Sequence, residues 1–383
     1  MGLFYKSRSG HSMDFTLELK PDWYNDINVE TRGRFLAPEW FPQSGIQLIW
    51  PTEETDWNYM LSEIADCYIR IVYEIAKRER LLIVTSQKER VKKLLCEKLP
   101  AKLFENIYLF ECPINDTWAR DSGVITMITP NGPEILDFGF NGWGGKFKAD
   151  KDNAINKGLK ENNILNGCYR ECKDFILEGG SIETDGKGVL LTTESCLLSS
   201  TRNGKLNKAD IELTLKRLFN LQEILWLKHG RLEGDDTNGH IDTLARMCPN
   251  NTIAYVKCSD LRDSHYEELK FMEEELKSFV MGNGKPFNLI PLPMPDAIYD
   301  ADNGERLPAT YANYLALNEA VLVPSYKQPI KDRLAAEAIG NIYKGKEIVS
   351  VPSSALIRQH GSIHCSAMQF PAGVLRTNEI KAI

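Results

Sequence analysis

The chain has 383 residues, of which 43% are hydrophobic and 26% are charged, so it can bury a large core and needs no cross-links to fold. Its formal net charge of -7 argues against a nucleic-acid binder, which would neutralise phosphates with clustered lysines and arginines. A small cationic substrate suits an acidic protein better.

Cysteine usage and hydropathy indicate the compartment. Nine cysteines are scattered without a C-x-x-C pair, which favours a reducing compartment over a disulfide framework or a zinc ribbon. No apolar run reaches the roughly 18 residues of a membrane span, and the N-terminus lacks the apolar core of a signal peptide. We therefore expect a cytoplasmic protein with no membrane partner. Residues 1–32 show no clear periodicity and predict an N-terminal extension before one catalytic domain at 33–383.

Beyond residue 32, apolar runs alternate with amphipathic runs. GIQLIW and RLLIVTS predict strands, and the stretches TDWNYMLSEIADCYIRIVYEIAKRE and KERVKKLLCEKL that follow them predict helices. GVITMIT and ILDFGF then predict two strands before a helix near 154–163. VLLTTESCLL, KADIELTLKRLF and EILWL predict strand, helix and strand.

The same order recurs twice towards the C-terminus. IDTLARM, TIAYVKC and FNLIPL predict strands around the helix HYEELKFMEEELKSFV, and RLAAEAIGNIY predicts a helix between the strands AVLVPSY and EIVSVP. Roughly five strand-helix-strand units therefore follow one another with no Pro- or Gly-rich linker, which favours a single closed α/β domain. A doubly wound open sheet has the same alternation and stays open as an alternative.

Polar and charged residues concentrate in five short segments at the ends of these strands, where catalytic groups are usually mounted. The segments are NDTWARDSG (115–123), DFGFNGWGGKF (137–147), LEGGSIETDGKG (177–188), GDDTNGHIDTLAR (234–246) and QHGSIHCSAMQFP (359–371). Packing alone does not require this arrangement, so the segments predict a functional site.

The sequence GHID offers a proton carrier beside an anion. If Ile241 begins a strand, alternation places His240 and Asp242 on the same face. Histidine takes and returns protons near neutrality. A lone histidine is more often structural, but the neighbouring Asp235 and Asp236 favour a functional one.

The sequence GSIHCSAM places a cysteine after a glycine-containing turn. A nearby protonated histidine would stabilise the reactive thiolate of Cys365. His364 would point to the opposite face of a strand, so we expect His240 to be the activating partner. The alternative is that Cys365 is one more small residue of the core.

Three carboxylates stand near strand ends, those of Asp121, Glu178 and Asp242. Carboxylates buried together repel one another, so the set implies a metal ion, a basic side chain such as Arg120, or a cationic ligand. A metal is disfavoured because a thiol among hard oxygen ligands suits magnesium and calcium poorly.

A guanidinium group fits these carboxylates better, because its planar fork of donors meets carboxylates in paired hydrogen bonds. Trp118 and Trp143 would then stack on the face of the bound cation. Ordinary core packing is the alternative for both tryptophans.

The five segments, in this order, resemble the agmatine deiminase and bacterial peptidylarginine deiminase branch of the pentein, or guanidino-group-modifying, superfamily. The resemblance extends from about Arg34 to about Pro371, and W-x-R-D, E-G-G, G-H-x-D and I-H-C recur together with the WGGK and LLTTE stretches. It implies a five-bladed α/β propeller with the active site at its centre. It also implies hydrolysis of a small cationic guanidino substrate, with no cofactor and no metal.

The resemblance also implies residue roles. The carboxylates of W-x-R-D and G-H-x-D are those of Asp121 and Asp242, which would hold the guanidinium, and the E-G-G carboxylate of Glu178 would support the histidine and a substrate nitrogen. Trp118 would cover the site. The remaining two roles, general acid/base and nucleophile, fall on His240 and Cys365.

Two departures from the family pattern leave the substrate tail open. Asn238 stands where relatives often have aspartate, and His360-Gly361-Ser362 replaces a Gly-Gly-Asn stretch. Asp235 and Asp236 are candidate anions for the free amine of agmatine. The alternatives to deimination of agmatine are deimination of arginine or peptidyl-arginine, amidino transfer, and a catalytically silent binding protein. The sequence leaves open whether the chain forms a homo-oligomer.

Overall fold

The structure, a computed structural model, describes residues 33–376 and 380–383 in full, together with the backbone of two short N-terminal strands. Apart from those strands, the predicted extension at 1–32 lies outside the described residues, and the domain boundary stays a prediction. The strands, in chain order, are β1 (Tyr5–Lys6), β2 (Ser12–Met13), β3 (Phe35–Leu36), β4 (Gln43–Ile49), β5 (Leu81–Thr85), β6 (Ile107–Glu111), β7 (Ile125–Thr129), β8 (Gly132–Gly139), β9 (Cys168–Ile176), β10 (Glu183–Thr184), β11 (Val189–Thr193), β12 (Glu223–Leu227), β13 (Ala245–Cys248), β14 (Thr252–Lys257), β15 (Asn288–Pro293), β16 (Leu315–Ala316), β17 (Ala320–Ser325), β18 (Glu347–Pro352) and β19 (Ala367–Pro371).

Helices connect these strands, and short 3-10 turns lie between them. The α-helices are α1 (Leu61–Ala76), α2 (Lys88–Lys98), α3 (Ala119–Ser122), α4 (Gly142–Gly145), α5 (Ile155–Glu161), α6 (Glu194–Leu197), α7 (Ser200–Asn203), α8 (Lys208–Phe219), α9 (Tyr266–Ser278), α10 (Pro329–Ile342) and α11 (Ile363–Ser366). The 3-10 turns are Asn58–Met60, Ala101–Asn106, Asp152–Ala154, Gly179–Ser181, Ile241–Thr243 and Leu356–Gln359. None of the described helices has both the length and the apolar composition needed to span a bilayer.

In the part of the chain described from residue 33 onward, the strands form five separate sheets. Their strand orders are β19-β4-β5-β6, β3-β7-β8-β9, β10-β11-β12, β13-β14-β15 and β16-β17-β18. Every sheet contains an antiparallel pair whose second strand leads through a helix to a parallel third strand. Parallel neighbours need such a crossover. The five predicted strand-helix-strand units are therefore confirmed, and the single open sheet is not observed.

The two ends of the chain meet in one sheet. β19 runs antiparallel to β4, with Ala367 opposite Leu48 and Phe370 opposite Gly45. The last strand thus completes the sheet begun by the first long one. This pairing brings Cys365, two residues before β19, back to the middle of the molecule.

The outer helices follow from their sequence patterns. Helix α1 buries Ile64, Tyr68, Ile71 and Ile75, which are spaced three or four residues apart as the sequence predicts. Helix α8 is capped by Asn207, the residue before it, whose side chain accepts a hydrogen bond from the Asp210 backbone N–H in a capping box. Each helix covers one face of its sheet.

Short turns rather than long strands form the centre. Helix α3 contacts α11 and the turn at 179–181, and that turn contacts the turn at 241–243. These four elements carry four of the five polar segments predicted from the sequence.

Candidate active site

The five residues predicted to carry the chemistry come together where these turns meet. Asp121 lies on α3, Glu178 directly precedes the turn at 179–181, His240 and Asp242 lie at the turn at 241–243, and Cys365 lies on α11. All five are at least nine-tenths buried, and Glu178, His240 and Asp242 are 0% exposed. Four separate segments thus supply one buried site.

The local backbone differs from the predicted strands. Ile241–Thr243 is a 3-10 turn, stabilised because the Thr243 hydroxyl donates to the His240 carbonyl at 2.9 Å. Ile363–Ser366 is one helical turn. His240 and Asp242 therefore reach the site through a turn, and the strand alternation expected to align them was wrong.

Cys365 is held by an asparagine that the sequence analysis missed. Asn313 Nδ2 donates to the Cys365 sulfur at 3.1 Å, and Asn313 Oδ1 accepts from the Cys365 backbone N–H at 3.2 Å. The sulfur also lies 3.6 Å from Asp242 Oδ2. Asn313 belongs to ATYANYLALN, outside the five polar segments, so only its spatial position reveals it.

The surroundings of Cys365 favour the neutral thiol. Burial raises the pKa of the thiol well above its ordinary value, and the carboxylates of Asp242 and Asp121 raise it further. The hydrogen bond from Asn313 opposes this shift. Without a bound substrate cation, Cys365 therefore rests protonated at neutral pH.

His240 faces two carboxylates. Its Nδ1 lies 3.6 Å from Asp121 Oδ1 and its Nε2 lies 3.8 Å from Glu178 Oε2. Burial lowers the pKa of His240, but Asp121, Cys196 and Glu178 together raise it well above its ordinary value. The imidazole is therefore protonated at neutral pH.

Both ring nitrogens of His240 lack a hydrogen-bond partner among the described residues. The side chains that form hydrogen bonds with the Cys365 sulfur are those of Asn313 and Asp242, and activation of Cys365 by His240 stays a prediction. A buried imidazolium between two carboxylates is placed to give a proton to a bound molecule.

Glu178 is neutralised by Arg202, a second residue that the sequence analysis missed. Arg202 Nε lies 2.9 and 2.8 Å from the two oxygens of Glu178, and both side chains are fully buried. Although burial raises the pKa of Glu178, His240 and Arg202 outweigh that effect and lower it. Arg202 follows the LLTTE stretch in the polar turn STRN, and this was the one signal for it.

The carboxylate of Asp121 accepts hydrogen bonds from two neutral donors and lies 3.6 Å from the imidazolium of His240. Its Oδ1 accepts from the Gly180 backbone N–H at 3.0 Å, and its Oδ2 accepts from Trp143 Nε1 at 2.9 Å. Burial raises the pKa of Asp121; His240 opposes the rise, while Asp242 and Glu178 add to it. Asp121 is therefore a poorly compensated buried anion.

The carboxylate of Asp242 is half satisfied. Its Oδ2 lies 2.8 Å from His364 Nδ1 and 3.3 Å from Asn313 Nδ2. Its Oδ1 has no partner among the described residues. Burial raises the pKa of Asp242, but His364 and His240 outweigh that effect and lower the pKa below its ordinary value. The carboxyl group therefore stays ionised.

Position 180, the second glycine of E-G-G, requires glycine because three polar side chains approach its backbone closely. A Cβ atom there would lie 2.7 Å from His240 Nδ1, 2.8 Å from Asp121 Oδ1 and 3.1 Å from Asp242 Oδ2. Any side chain at this position would collide with all three polar groups. The backbone of Gly180 thus lies between the histidine and both aspartates.

The two predicted tryptophans differ in position. Trp118 packs so closely on Gly361 that a Cβ there would lie 2.3 Å from the indole ring. Trp143 adopts a left-handed φ of 55° and packs edge-on against Phe140 and Phe147. Its indole N–H bonds to Asp121, so Trp143 positions a carboxylate, which differs from the stacking expected of it.

Asp235 organises its own loop. Its carboxylate accepts from the Gly239 backbone N–H at 2.6 Å and from the Thr237 backbone N–H at 3.1 Å. Burial and Asp235 raise the pKa of Asp236, while the nearby His360 opposes the rise. Neither aspartate bonds to the five central residues in the described structure.

The two family departures meet at the 234–239 loop, which contains Asn238 and is contacted by His360. Asn238 Oδ1 accepts from Lys146 Nζ and from Arg202 Nη1, each at 3.1 Å. His360 has a left-handed φ of 66°, and its Nδ1 lies 2.7 Å from the Gly234 carbonyl. Asn238 therefore ties the loop to the arginine that neutralises Glu178.

Two groups of ligand-type side chains occur in the described residues: Glu178 with Cys196 and His240, and Glu39 with Glu183 and His364. In both, an arginine already occupies the carboxylate oxygens: Arg202 for the first group, and Arg246 for the second. The arrangement suits guanidinium groups in both places.

Comparison with known proteins gives the family. The Porphyromonas-type peptidyl-arginine deiminase family matches residues 35–371. The chain belongs to this family. Membership makes it an enzyme that hydrolyses a guanidino C–N bond, and it confirms the resemblance found in the sequence.

Individual relatives cover nearly the whole chain. The "Putative agmatine deiminase 1" of Listeria monocytogenes serotype 4b (strain F2365) is 32% identical over 370 residues, or 91% of this chain and 99% of the relative. The solved "Putative Arginine Deiminase" of Porphyromonas gingivalis is 45% identical with a TM-score of 0.84 over 90% of this chain and 100% of that one. A substrate-bound cysteine-to-serine variant of C. jejuni agmatine deiminase is 38% identical with a TM-score of 0.81, over 90% of this chain and 97% of that one. These neighbours confirm the pentein propeller.

Proposed function

We propose that this protein is an agmatine deiminase, which hydrolyses agmatine to N-carbamoylputrescine and ammonia through a thiouronium adduct on Cys365. One observation carries the proposal: the buried carboxylates of Asp121 and Asp242 act on a buried thiol, and in the described chain neither forms an ion pair with an arginine or a lysine. Relatives that cover nine-tenths of the chain bear the name agmatine deiminase.

Binding follows from charge complementarity. The free Oδ1 of Asp242 and the poorly compensated carboxylate of Asp121 would accept the N–H groups of a guanidinium. The bound cation would also offset the two anions that raise the pKa of Cys365, so substrate binding itself would promote the thiolate. Trp118 would cover the planar cation.

In the first half of the reaction, Cys365 loses its thiol proton to solvent as the substrate cation binds, and the thiolate attacks the guanidinium carbon and forms a C–S bond. Protonated His240 gives a proton to the departing nitrogen, which leaves as ammonia. The C–N bond breaks, and a cationic thiouronium adduct remains between the two aspartates. Glu178, already paired with Arg202, would hold the histidine and a substrate nitrogen.

In the second half, neutral His240 takes a proton from water and the resulting hydroxide attacks the adduct carbon. Collapse breaks the C–S bond, the hydroxyl proton of the intermediate passes to the departing sulfur, and the ureido product leaves Cys365 as the neutral thiol. The site acts mainly by holding the reacting carbon beside the sulfur and by matching the cation with fixed charges. The steps need no metal and no cofactor.

A second candidate is deimination of arginine. The Porphyromonas gingivalis relative, at 45% identity, bears the name arginine deiminase. Arginine adds a carboxylate that needs a cation, and Lys146 reaches the 234–239 loop through Asn238. The agmatine amine would instead use Asp236 on that loop.

The deciding experiment is a substrate comparison. The purified protein is incubated with agmatine, arginine and a blocked arginyl peptide, and ammonia and ureido product are measured. We expect kcat/KM for agmatine to exceed that for arginine by at least about a hundredfold, because the unpaired substrate carboxylate would be costly to bury. Activity on arginine alone would refute the agmatine proposal.

The nucleophile is tested in the same assay. Cys365→Ala should lower turnover at least about a thousandfold, because no thiolate remains to form the adduct. Cys96→Ala, at an exposed position, is the matched control and should keep turnover within about twofold. Full turnover in Cys365→Ala would show that the assigned nucleophile is wrong.

A further inference from the structure

A second cavity lies directly behind the active site. Arg120, Gly179 and His364 line it, and each immediately precedes an active-site residue or Gly180 in the sequence. Its volume of about 90 Å³ is enough for roughly six water molecules, or for one organic molecule of similar size. Part of its wall is apolar, including Val124 and Met368.

Arg120 brings to this cavity a positive charge that has no ion pair in the described chain. The side chain is 7% exposed and makes no ion pair within 4.0 Å among the described residues, contrary to the pairing considered from the sequence. Its guanidinium contacts the His364 carbonyl at 3.4 Å, the Met368 sulfur at 3.5 Å and Gln369 Oε1. Burial lowers the pKa of Arg120, and the attraction of Glu39, Asp242 and Glu183 offsets that effect only in part.

Unpartnered polar atoms line the same cavity. Gln369 Nε2 and Thr126 Oγ1 have no hydrogen-bond partner within the described structure, and their side chains are only 8% and 5% exposed. Gln43 Oε1 is a further unpartnered atom in the lining. Gln369 already accepts from Arg120, so its free N–H groups stand beside the guanidinium. Buried polar groups are normally satisfied, so this set points to a ligand.

The two carboxylates in the lining attract Arg120, but in the described chain neither forms an ion pair with it. Glu39 accepts from the Ala316 backbone N–H at 2.9 Å and contacts Arg246 and His364. Glu183 binds Arg246 Nε at 2.6 Å and the Met247 backbone N–H at 2.9 Å. All four of these oxygens are already engaged.

We propose that this cavity binds a small organic carboxylate. The carboxylate would bond to the Arg120 guanidinium and Gln369 Nε2, with the Thr126 hydroxyl as a further donor, because ionised groups make the strongest hydrogen bonds to arginine. A short carbon chain would pack on Val124 and Met368. Gln43 Oε1 would accept from a hydroxyl group of the ligand.

The probe is lactate, which carries a carboxylate, a hydroxyl and a methyl group, and lactamide is its neutral counterpart. Binding to the full-length protein is measured by calorimetry and by saturation-transfer NMR. We expect a lactate Kd on the order of 1 mM, as its six heavy atoms allow, and at least about tenfold weaker binding of lactamide. Equal binding of the two compounds, or no saturable binding of lactate, would overturn the proposal.

Substitutions in the lining of the cavity test where lactate binds. Arg120→Met should weaken lactate binding at least about tenfold, because it removes the charge-assisted bonds. Arg262→Met, at a side chain that is 90% exposed, is the matched control and should leave binding unchanged. Gln369→Leu keeps Arg120 and should also weaken binding, so the test does not depend on one variant folding. Undiminished binding in both folded lining variants would contradict the assignment.

A competition experiment separates this cavity from the active site. Lactate binding is measured in Cys365→Ala with and without saturating agmatine, since this variant leaves the lining of the cavity intact. The lactate Kd should stay within about threefold, because the two ligands occupy different cavities. Displacement of lactate by agmatine would place lactate in the active site and refute the proposal.

Discussion

Two buried clusters of carboxylates lie next to each other in this propeller, and they differ in where the cation comes from. In the first, which we call the Arg246 cluster (Glu39, Glu183, Arg246 and His364), Arg246 binds both glutamates and lies over Tyr314, with 4.5 Å from its guanidinium carbon to the ring centroid. In the second, which we call the Cys365 site (Asp121, Glu178, His240, Asp242 and Cys365), only Glu178 has an arginine.

The pKa values of Glu39 and Asp121 follow this difference, whereas burial leaves the pKa of Glu183 raised and His364 keeps that of Asp242 lowered. Although burial raises the pKa of Glu39, Arg246 and His364 lower it well below its ordinary value. Burial raises the pKa of Asp121, and its fellow anions leave it raised. In the Arg246 cluster, two carboxylates surround a guanidinium that lies over an aromatic ring. The Cys365 site offers the guanidinium of a substrate a similar arrangement. We propose that Arg246 balances the charges of its own cluster, whereas the Cys365 site takes its cation from the substrate.

The largest expected effect is on stability, from Arg246→Met. This change leaves Glu39 and Glu183 buried without their cation, and breaking such a set typically costs about 3–5 kcal/mol. Chemical denaturation would show it as a lower midpoint. Arg262→Met removes an exposed arginine instead and should change the free energy of unfolding by no more than about 0.5 kcal/mol. Equal effects of the two changes would erase the proposed difference between the clusters.

The second effect is on activity, from Asp242→Asn. We expect kcat/KM for agmatine to fall by about a hundredfold or more, because one of two anions facing the guanidinium is lost. The Asp242 carboxylate raises the pKa of Cys365, so the pKa should fall in the variant and iodoacetamide should modify Cys365 faster at pH 8. Mass spectrometry of the Cys365 peptide measures the rate. Slower modification would contradict the assigned electrostatics.

The third effect is on turnover: we expect Asn313→Ala to lower kcat about tenfold. The hydrogen bond from Asn313 lowers the pKa of the Cys365 thiol, so its removal should raise that pKa further and slow alkylation at pH 8. The direction is opposite to that of Asp242→Asn, which distinguishes a charge effect from general disturbance. Asn162→Ala, at an exposed asparagine, should change neither rate. Faster alkylation of Asn313→Ala would exclude the proposed role.

The smallest effect is a rise in KM of about threefold to tenfold, from Trp143→Phe. Phenylalanine keeps the edge-on packing but loses the N–H that bonds to Asp121. That bond lowers the pKa of Asp121, so its loss should raise the pKa and make the KM defect larger at pH 6 than at pH 8. Trp226→Phe loses a similar bond, to Glu212, outside the site and should leave KM unchanged. A KM defect independent of pH would argue against an electrostatic role.

Local pattern was enough to predict most of the scaffold. Strands such as β5, whose five residues are all buried, read as continuous apolar runs. β9 was missed because only Phe175 among its nine residues is fully buried, and it pairs with β8 alone at the edge of its sheet. Charged residues on an edge strand hide the periodicity that would predict it.

The sequence by itself determined which residue types are available at the site, and five polar segments and their family resemblance identified Cys365, His240 and the three carboxylates. Only the tertiary structure decided how these groups are compensated. Arg202 reaches Glu178 and Arg246 reaches Glu183, whereas Arg120 lies one residue from Asp121 and forms no ion pair in the described chain. Ion pairing depends on distance in space, and contacts between residues 24 to 63 positions apart cannot be read from their order along the chain.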